Sequence, residues 1–180
     1  MKTQLITLCT ALILAGAFCV TAEDSKPAKA GSPEFERLKS LVGSWTGKAD
    51  MGQGPAEMTC TYRLVAGGSV LEERVFAGTP HEMVTMYCDK GGKLAVTHYC
   101  VFGNQPQFLL KSSDAKSITF DFDPTCGIDV NKESHMHNLK IIFNDADTIT
   151  TSCAAFMEGK EVPEQGCTLK RVKSPAAAAL

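Results

Sequence analysis

The groups in this chain that could do chemistry are four histidines and a scatter of cysteines. His98 shares its alternation with Leu94, Val96, Cys100 and Phe102, so its ring is expected to point with them into an apolar interior. An imidazole in such surroundings needs a hydrogen-bond partner. Asn104 and Gln105, at the turn that follows, are expected to reach back to it. Tyr99 stands beside the same place but alternates to the other face. His98, Asn104, Gln105 and Tyr99 are therefore the candidate ligand-binding residues. A buried His can anchor a ligand, ligate a metal or haem, or act as a general base. It can also simply tie a turn to a strand.

Other constellations carry less. His135-x-His137 puts two imidazoles on one strand face, a spacing zinc can use. A catalytic zinc needs three protein ligands and an open position; His98 or His81 would have to supply the third, and no companion set of glutamates accompanies them. No metal site is assigned. There is no Gly-x-Ser-x-Gly, and Ser69 after Gly67-Gly68 opens a strand rather than the helix that a nucleophile elbow requires. Glu72 and Glu73 are adjacent and face opposite sides of one strand, so they are not a facing acid/base pair. Arg63 and Arg74 are expected to meet carboxylates across strands. No catalytic residue is assigned, and the reading leans away from an enzyme.

The elements that must position His98 are short strands. Candidates are 44–51, 56–66, 69–78, 82–89, 93–102, 106–112, 117–123, 136–143, 147–156 and 166–173. Turn signals separate most of them, among them Gly67-Gly68, Thr79-Pro80, Gly91-Gly92 and Asn144-Asp145. Val84, Met86 and Cys88 alternate with the other face of their strand, as do Ile118, Phe120 and Phe122 with theirs. Ahead of them Ser32-Pro33-Glu34 reads as a helix start, a capping hydroxyl followed by Pro and an acid in the first turn. Phe35, Leu38, Leu41 and Val42 then recur at helical spacing up to Gly43. About ten antiparallel strands with no helical crossover predict an all-β closed meander, a lipocalin-like, calycin-type barrel with one short N-terminal helix. A barrel of that size can hold a small ligand. Gly43-x-Trp45 opens the first strand and Arg171 lies on the last. After closure these strands are neighbours, so the guanidinium is expected over the indole as a cation–π lid on the closed end.

Residues 1–22 read as a secretory signal: Lys2, the apolar stretch Leu5 to Val20, and Val20-Thr21-Ala22 as the cleavage site. A lipid anchor at Cys19 fits poorly, because Phe18 stands where a small residue is wanted. Residues 23–32 are a linker, 33–173 the barrel domain, and 174–180 a structureless tail. The chain is expected to be exported, periplasmic or extracellular, with no transmembrane segment. The chain has 18 basic and 20 acidic residues and no basic run of five or more, so nothing supports a nucleic-acid footprint and no nucleic-acid partner is expected. Six cysteines follow the signal, with no Cys-x-x-Cys. Cys153 and Cys167 lie on the arms of a hairpin turning at Glu158-Gly159-Lys160 and are the one pair expected to form a disulfide. The pairing of Cys60, Cys88, Cys100 and Cys126 stays open.

The segments Glu82-Met83-Val84-Thr85-Met86-Tyr87 and Thr97-His98-Tyr99-Cys100-Val101-Phe102-Gly103-Asn104-Gln105-Pro106 closely resemble the domain of unknown function 1579 family, a bacterial, often exported, lipocalin-like group. The likeness runs from about Leu41 to Val172 and takes in Gly67-Gly68-Ser69, Asp145-Ala146-Asp147, Gly159-Lys160 and Leu169-x-Arg171. It implies a calycin-type barrel and no established activity. In the family pattern positions 153 and 167 usually carry bulky aromatic residues; here both are Cys, which implies either a disulfide in their place or an emptier barrel at that level. A haem site like that of the ten-stranded nitrobindins needs a histidine near the C-terminus, and none follows His137. No cofactor is named.

These readings converge on an exported barrel that binds a small apolar or amphipathic ligand. The alternatives are an enzyme with His98 as base, and a structural envelope protein whose barrel is packed solid.

Overall fold

A computed structural model describes residues 31–50 and 54–173. The signal, most of the linker and the tail lie outside the described residues. Helix α1 (Pro33–Lys39) starts as its sequence predicts: Ser32 Oγ accepts from the Phe35 amide at 3.2 Å, with Pro33 in the first turn. It is followed by β1 (Gly43–Asp50), β2 (Pro55–Val65), β3 (Val70–Val75), β4 (Met83–Lys90), β5 (Lys93–Tyr99), β6 (Gln107–Ser113), β7 (Ser117–Phe122), β8 (His135–Met136), β9 (Asn138–Asp145), β10 (Thr148–Met157) and β11 (Lys160–Arg171). From β1 to β7 each strand pairs antiparallel with the next, β7 pairs with β9, β9 with β10, and β11 with both β10 and β1, which closes a ten-strand lipocalin-like barrel with β8 as a short extra strand on β10. Closure leaves the ten barrel strands paired on both sides, while β8 pairs on one side, with β10. No helix among the described residues is long and apolar enough to cross a membrane.

Two elements depart from expectation. β11 begins at Lys160 rather than 166, because Met157 pairs Lys160 directly across the two-residue turn Glu158-Gly159. β8 and β9 are one expected strand cut in two. The ladder of β10 shifts between Cys153 and Ala155, and there the Ala154 amide donates to the Asn138 side chain at 2.6 Å instead of to backbone.

The two ends of the barrel differ. At one end Trp45 is 1% exposed, its indole N–H donating to Leu41 O at 2.8 Å. Arg171 pairs with Trp45 in register, and its guanidinium carbon lies 4.2 Å from the ring centroid. The same guanidinium donates to Val42 O and Ser40 O, each at 2.8 Å, so it also closes the C-terminal end of α1. Gly43 has φ +132°, and a Cβ there would approach Arg171 Nη1. Gly47 lets β1 and β11 meet: a Cβ would stand 2.3 Å from Thr168 O. Helix α1 seals this end. Phe35, Leu38 and Leu41 are buried, Ser32 Oγ donates to Asp89 beside the β4–β5 turn, and Arg37 donates to Asp114 O and Ala115 O in the β6–β7 turn.

Candidate functional site

Register brings one polar row across the inner wall. Tyr62 on β2 stands opposite Glu73 on β3, Glu73 opposite Thr85 on β4, and Thr85 opposite His98 on β5. Cross-strand partners share a face, so all four point inward. Glu73 and Thr85 are 7% and 4% exposed. The Glu73 carboxylate accepts from Tyr62 Oη at 2.7 Å on one oxygen and from Tyr87 Oη at 2.6 Å on the other, with Cys60 Sγ at 3.6 Å. Burial, and then the negative charge of Glu73, push both tyrosines well above the usual phenol range, so they stay donors. Burial likewise pushes the Cys60 thiol up.

The neighbour behaves differently. Glu72 faces out and is held by Arg63 at 2.8 Å and Arg74 at 3.6 Å, the cross-strand ion pairs expected for these arginines. Strand alternation separates Glu73 from Glu72 but does not by itself mark it as a site. The available signal was Leu71-Glu73-Val75, an acid on the apolar face of a strand. The inward set on β4 is Met83, Thr85 and Tyr87, not the Val84, Met86 and Cys88 face. Register sets this face, with Thr85 opposite Glu73 and Tyr87 opposite Leu71, and it lets the Tyr87 hydroxyl donate to the second Glu73 oxygen.

His98 points inward with Leu94 and Val96, as its alternation requires, and is 6% exposed. Its partner is not the following turn. Nδ1 lies 2.9 Å from Thr85 Oγ1, while the backbone amide donates to Pro106 O at 3.0 Å. Asn104 instead donates to Ser134 O at 2.9 Å and ties the β5–β6 turn to the segment before β8; its Oδ1 is buried without a partner among the described residues. Gln105 is exposed, donating to Gly103 O, and Tyr99 is 48% exposed on the outer face. Neither Asn104, Gln105 nor Tyr99 lines the cavity. The β5 ladder ends at Tyr99, so the turn carries these side chains off the inner wall.

Burial pushes the His98 pKa down to about 4. Between this value and the unfolded value near 6.5 the unfolded chain binds the extra proton, so stability rises with pH. The contribution is fully present above about pH 6.5 and is lost as pH falls toward 4, on the order of 3 kcal/mol. His137, lowered by burial and by His135, acts in the same direction. Chemical denaturation from pH 4 to 7 is expected to show a smaller stability change in His98→Gln than in the native chain. Identical pH profiles would place the proton uptake elsewhere.

The Cys153–Cys167 disulfide is corrected by the register. Cys153 stands opposite Gln165 and Cys167 opposite Thr151, two positions out of step. Such a diagonal spans about 7–8 Å, beyond comfortable disulfide reach. All six described cysteines are free thiols. Burial pushes Cys153 up to about 11, so its thiol is protonated and inert at neutral pH. His135 and His137 hold each other, Nε2 to Nδ1 at 3.0 Å, with His135 Nδ1 donating to Glu133 O at 2.7 Å. Their rings pack with Phe122 and Phe156. Among the described residues no three His, Cys, Asp or Glu side chains form a metal-holding group.

The interior row opens on a cavity of about 450 Å³. Its wall is apolar and rich in sulfur: Met58, Met83, Met136 and Met157 with Cys100, Cys153 and Cys167. Cys153 and Cys167 therefore border empty space. Glu73, Thr85 and His98 stand on this wall, and Asp50, Phe76 and Phe102 also line it. The barrel is thus packed at its Trp45 end and hollow toward the other.

Fold and site together define a closed antiparallel β-barrel with an internal cavity. No family model and no curated protein matches the chain. Among solved structures it is similar to a protein of unknown function from the DUF3598 family of Nostoc punctiforme, with 14% identity and a TM-score of 0.52. The match covers 75% of this chain and 48% of that one, so this chain spans about half the length of that protein. A redesigned β-barrel aligns at 9% identity and TM-score 0.35, over 75% of this chain and 94% of its own.

Proposed function

We propose that this chain is an exported member of the domain of unknown function 1579 family whose barrel binds a small apolar or amphipathic ligand. The observation that carries the reading is the hollow half of the barrel: an apolar, sulfur-rich cavity of about 450 Å³ whose wall carries the polar row Glu73, Thr85 and His98, with Asp50, Thr151, Ser152 and Gln165 as its other polar residues. Ligand sites are mostly apolar pockets with a few placed polar groups that fix orientation. The cavity speaks against a barrel packed solid. His98 suits a neutral handle better than a general base, because a pKa of about 4 is far from the near-neutral value that base catalysis favours.

Native mass spectrometry of protein purified from its own host should detect a co-purified small molecule. His98→Gln, which can keep a hydrogen bond to Thr85, should lower recovery of that molecule about tenfold, equivalent to about 1.4 kcal/mol, with the melting temperature at pH 7 nearly unchanged. A lower melting temperature with unchanged recovery would make His98 a structural residue only. Loss of neither would remove it from the site.

A further inference from the structure

Glu73 has more than a structural bond pattern to explain. It is a carboxylate in the wall of an apolar cavity, 7% exposed, and among the described residues it has no ion-pair partner. The nearby cations are on the outer surface: Arg63 is bound to Glu72, and Arg74 to Glu72 and Glu82. Its partners are neutral donors, Tyr62, Tyr87 and the weaker Cys60. They soften the cost of burying a charge but supply no opposite charge. Among the described residues no Lys or Arg lines the cavity, so no cation on its wall opposes the Glu73 carboxylate. In register beside Glu73 stand the Thr85 hydroxyl and the His98 ring. An acceptor-rich row in a low-dielectric pocket suits a group with several N–H donors and a positive charge. It disfavours a carboxylate, which would meet like charge.

We propose that Glu73 is the binding group for a protonated amine, so that the ligand is an amphipathic amine, with an apolar chain in the sulfur-lined cavity and its ammonium group on the Glu73 carboxylate. The proposal rests on the reading of the barrel as a ligand carrier and assigns that ligand its chemical class. Thr85 and His98 lie where they can accept the remaining N–H groups.

Isothermal titration calorimetry at neutral pH with decylamine, decanol and decanoate, on the full chain and on Glu73→Gln, tests it. The native protein is expected to bind decylamine at least tenfold more tightly than decanol, with decanoate weakest. In Glu73→Gln the amine preference should fall to near unity while decanol affinity is unchanged. Decanol or decanoate binding as tightly as the amine would overturn the assignment and leave the carrier reading standing, as would an amine preference that survives in Glu73→Gln. Binding of none of the three would overturn both. Thermal melts report whether Glu73→Gln folds; if it does not, the order of the three ligands on the native protein decides.

Discussion

Trp45→Ala is expected to destabilise the barrel by about 3–5 kcal/mol, the range for truncating a buried large aromatic. The loss has three sources on the closed end. The indole is 1% exposed, its N–H is bonded to Leu41 O, and its face carries the Arg171 guanidinium. Arg171→Ala should cost less, about 1.5–3 kcal/mol, because it strips donors from Val42 O, Ser40 O and Ala146 O and breaks the pair with Asp147 at 3.3 Å. Arg171→Lys should recover little, since one ammonium cannot stack on the ring and serve several carbonyls together. A double-mutant cycle by urea denaturation should give a coupling energy of at least about 0.5 kcal/mol. Strict additivity would show that the lid is not an energetic unit.

Replacing both Tyr62 and Tyr87 by Phe should destabilise the protein by about 3–5 kcal/mol, the cost of leaving a buried charge uncompensated. Each hydroxyl occupies one oxygen of Glu73, so the double change leaves only the Cys60 thiol on the carboxylate. The rings themselves remain, which separates this loss from a packing defect. Adding Glu73→Leu to the pair should restore most of the lost stability, because a buried polar cluster replaced as a whole by apolar groups of similar volume is near neutral. The midpoints of denaturant unfolding check both steps. A triple variant as unstable as the double one would show that the tyrosine hydroxyls serve something other than Glu73.

Much of this molecule is legible from local pattern. Ser32-Pro33 starts the helix where a capping hydroxyl and a fixed φ require it. The single Trp and the terminal-strand Arg meet because closing a meander makes its first and last strands neighbours. His98 points inward because its strand alternates. These follow from periods of two or 3.6 residues and from topology, which short sequence windows carry. What stands opposite an inward side chain is a different quantity. It depends on register, which turns and bulges set and which a single inserted residue shifts. Register gave His98 Thr85 as its partner rather than Asn104 or Gln105, and it left Cys153 and Cys167 two positions out of step, because Cys167 lies farther from the Met157–Lys160 turn than Cys153 and the bulge takes up only part of the difference. It also brought two tyrosines from separate strands onto Glu73, whose place on an apolar strand face was visible but whose donors were not. The hollow beside that row arises only once ten strands close around side chains too small to fill the space. The barrel, its plugged end and the inward His98 are thus written in local pattern, whereas the cavity and its carboxylate depend on distances between strands remote in the chain, which exist only once the barrel has closed.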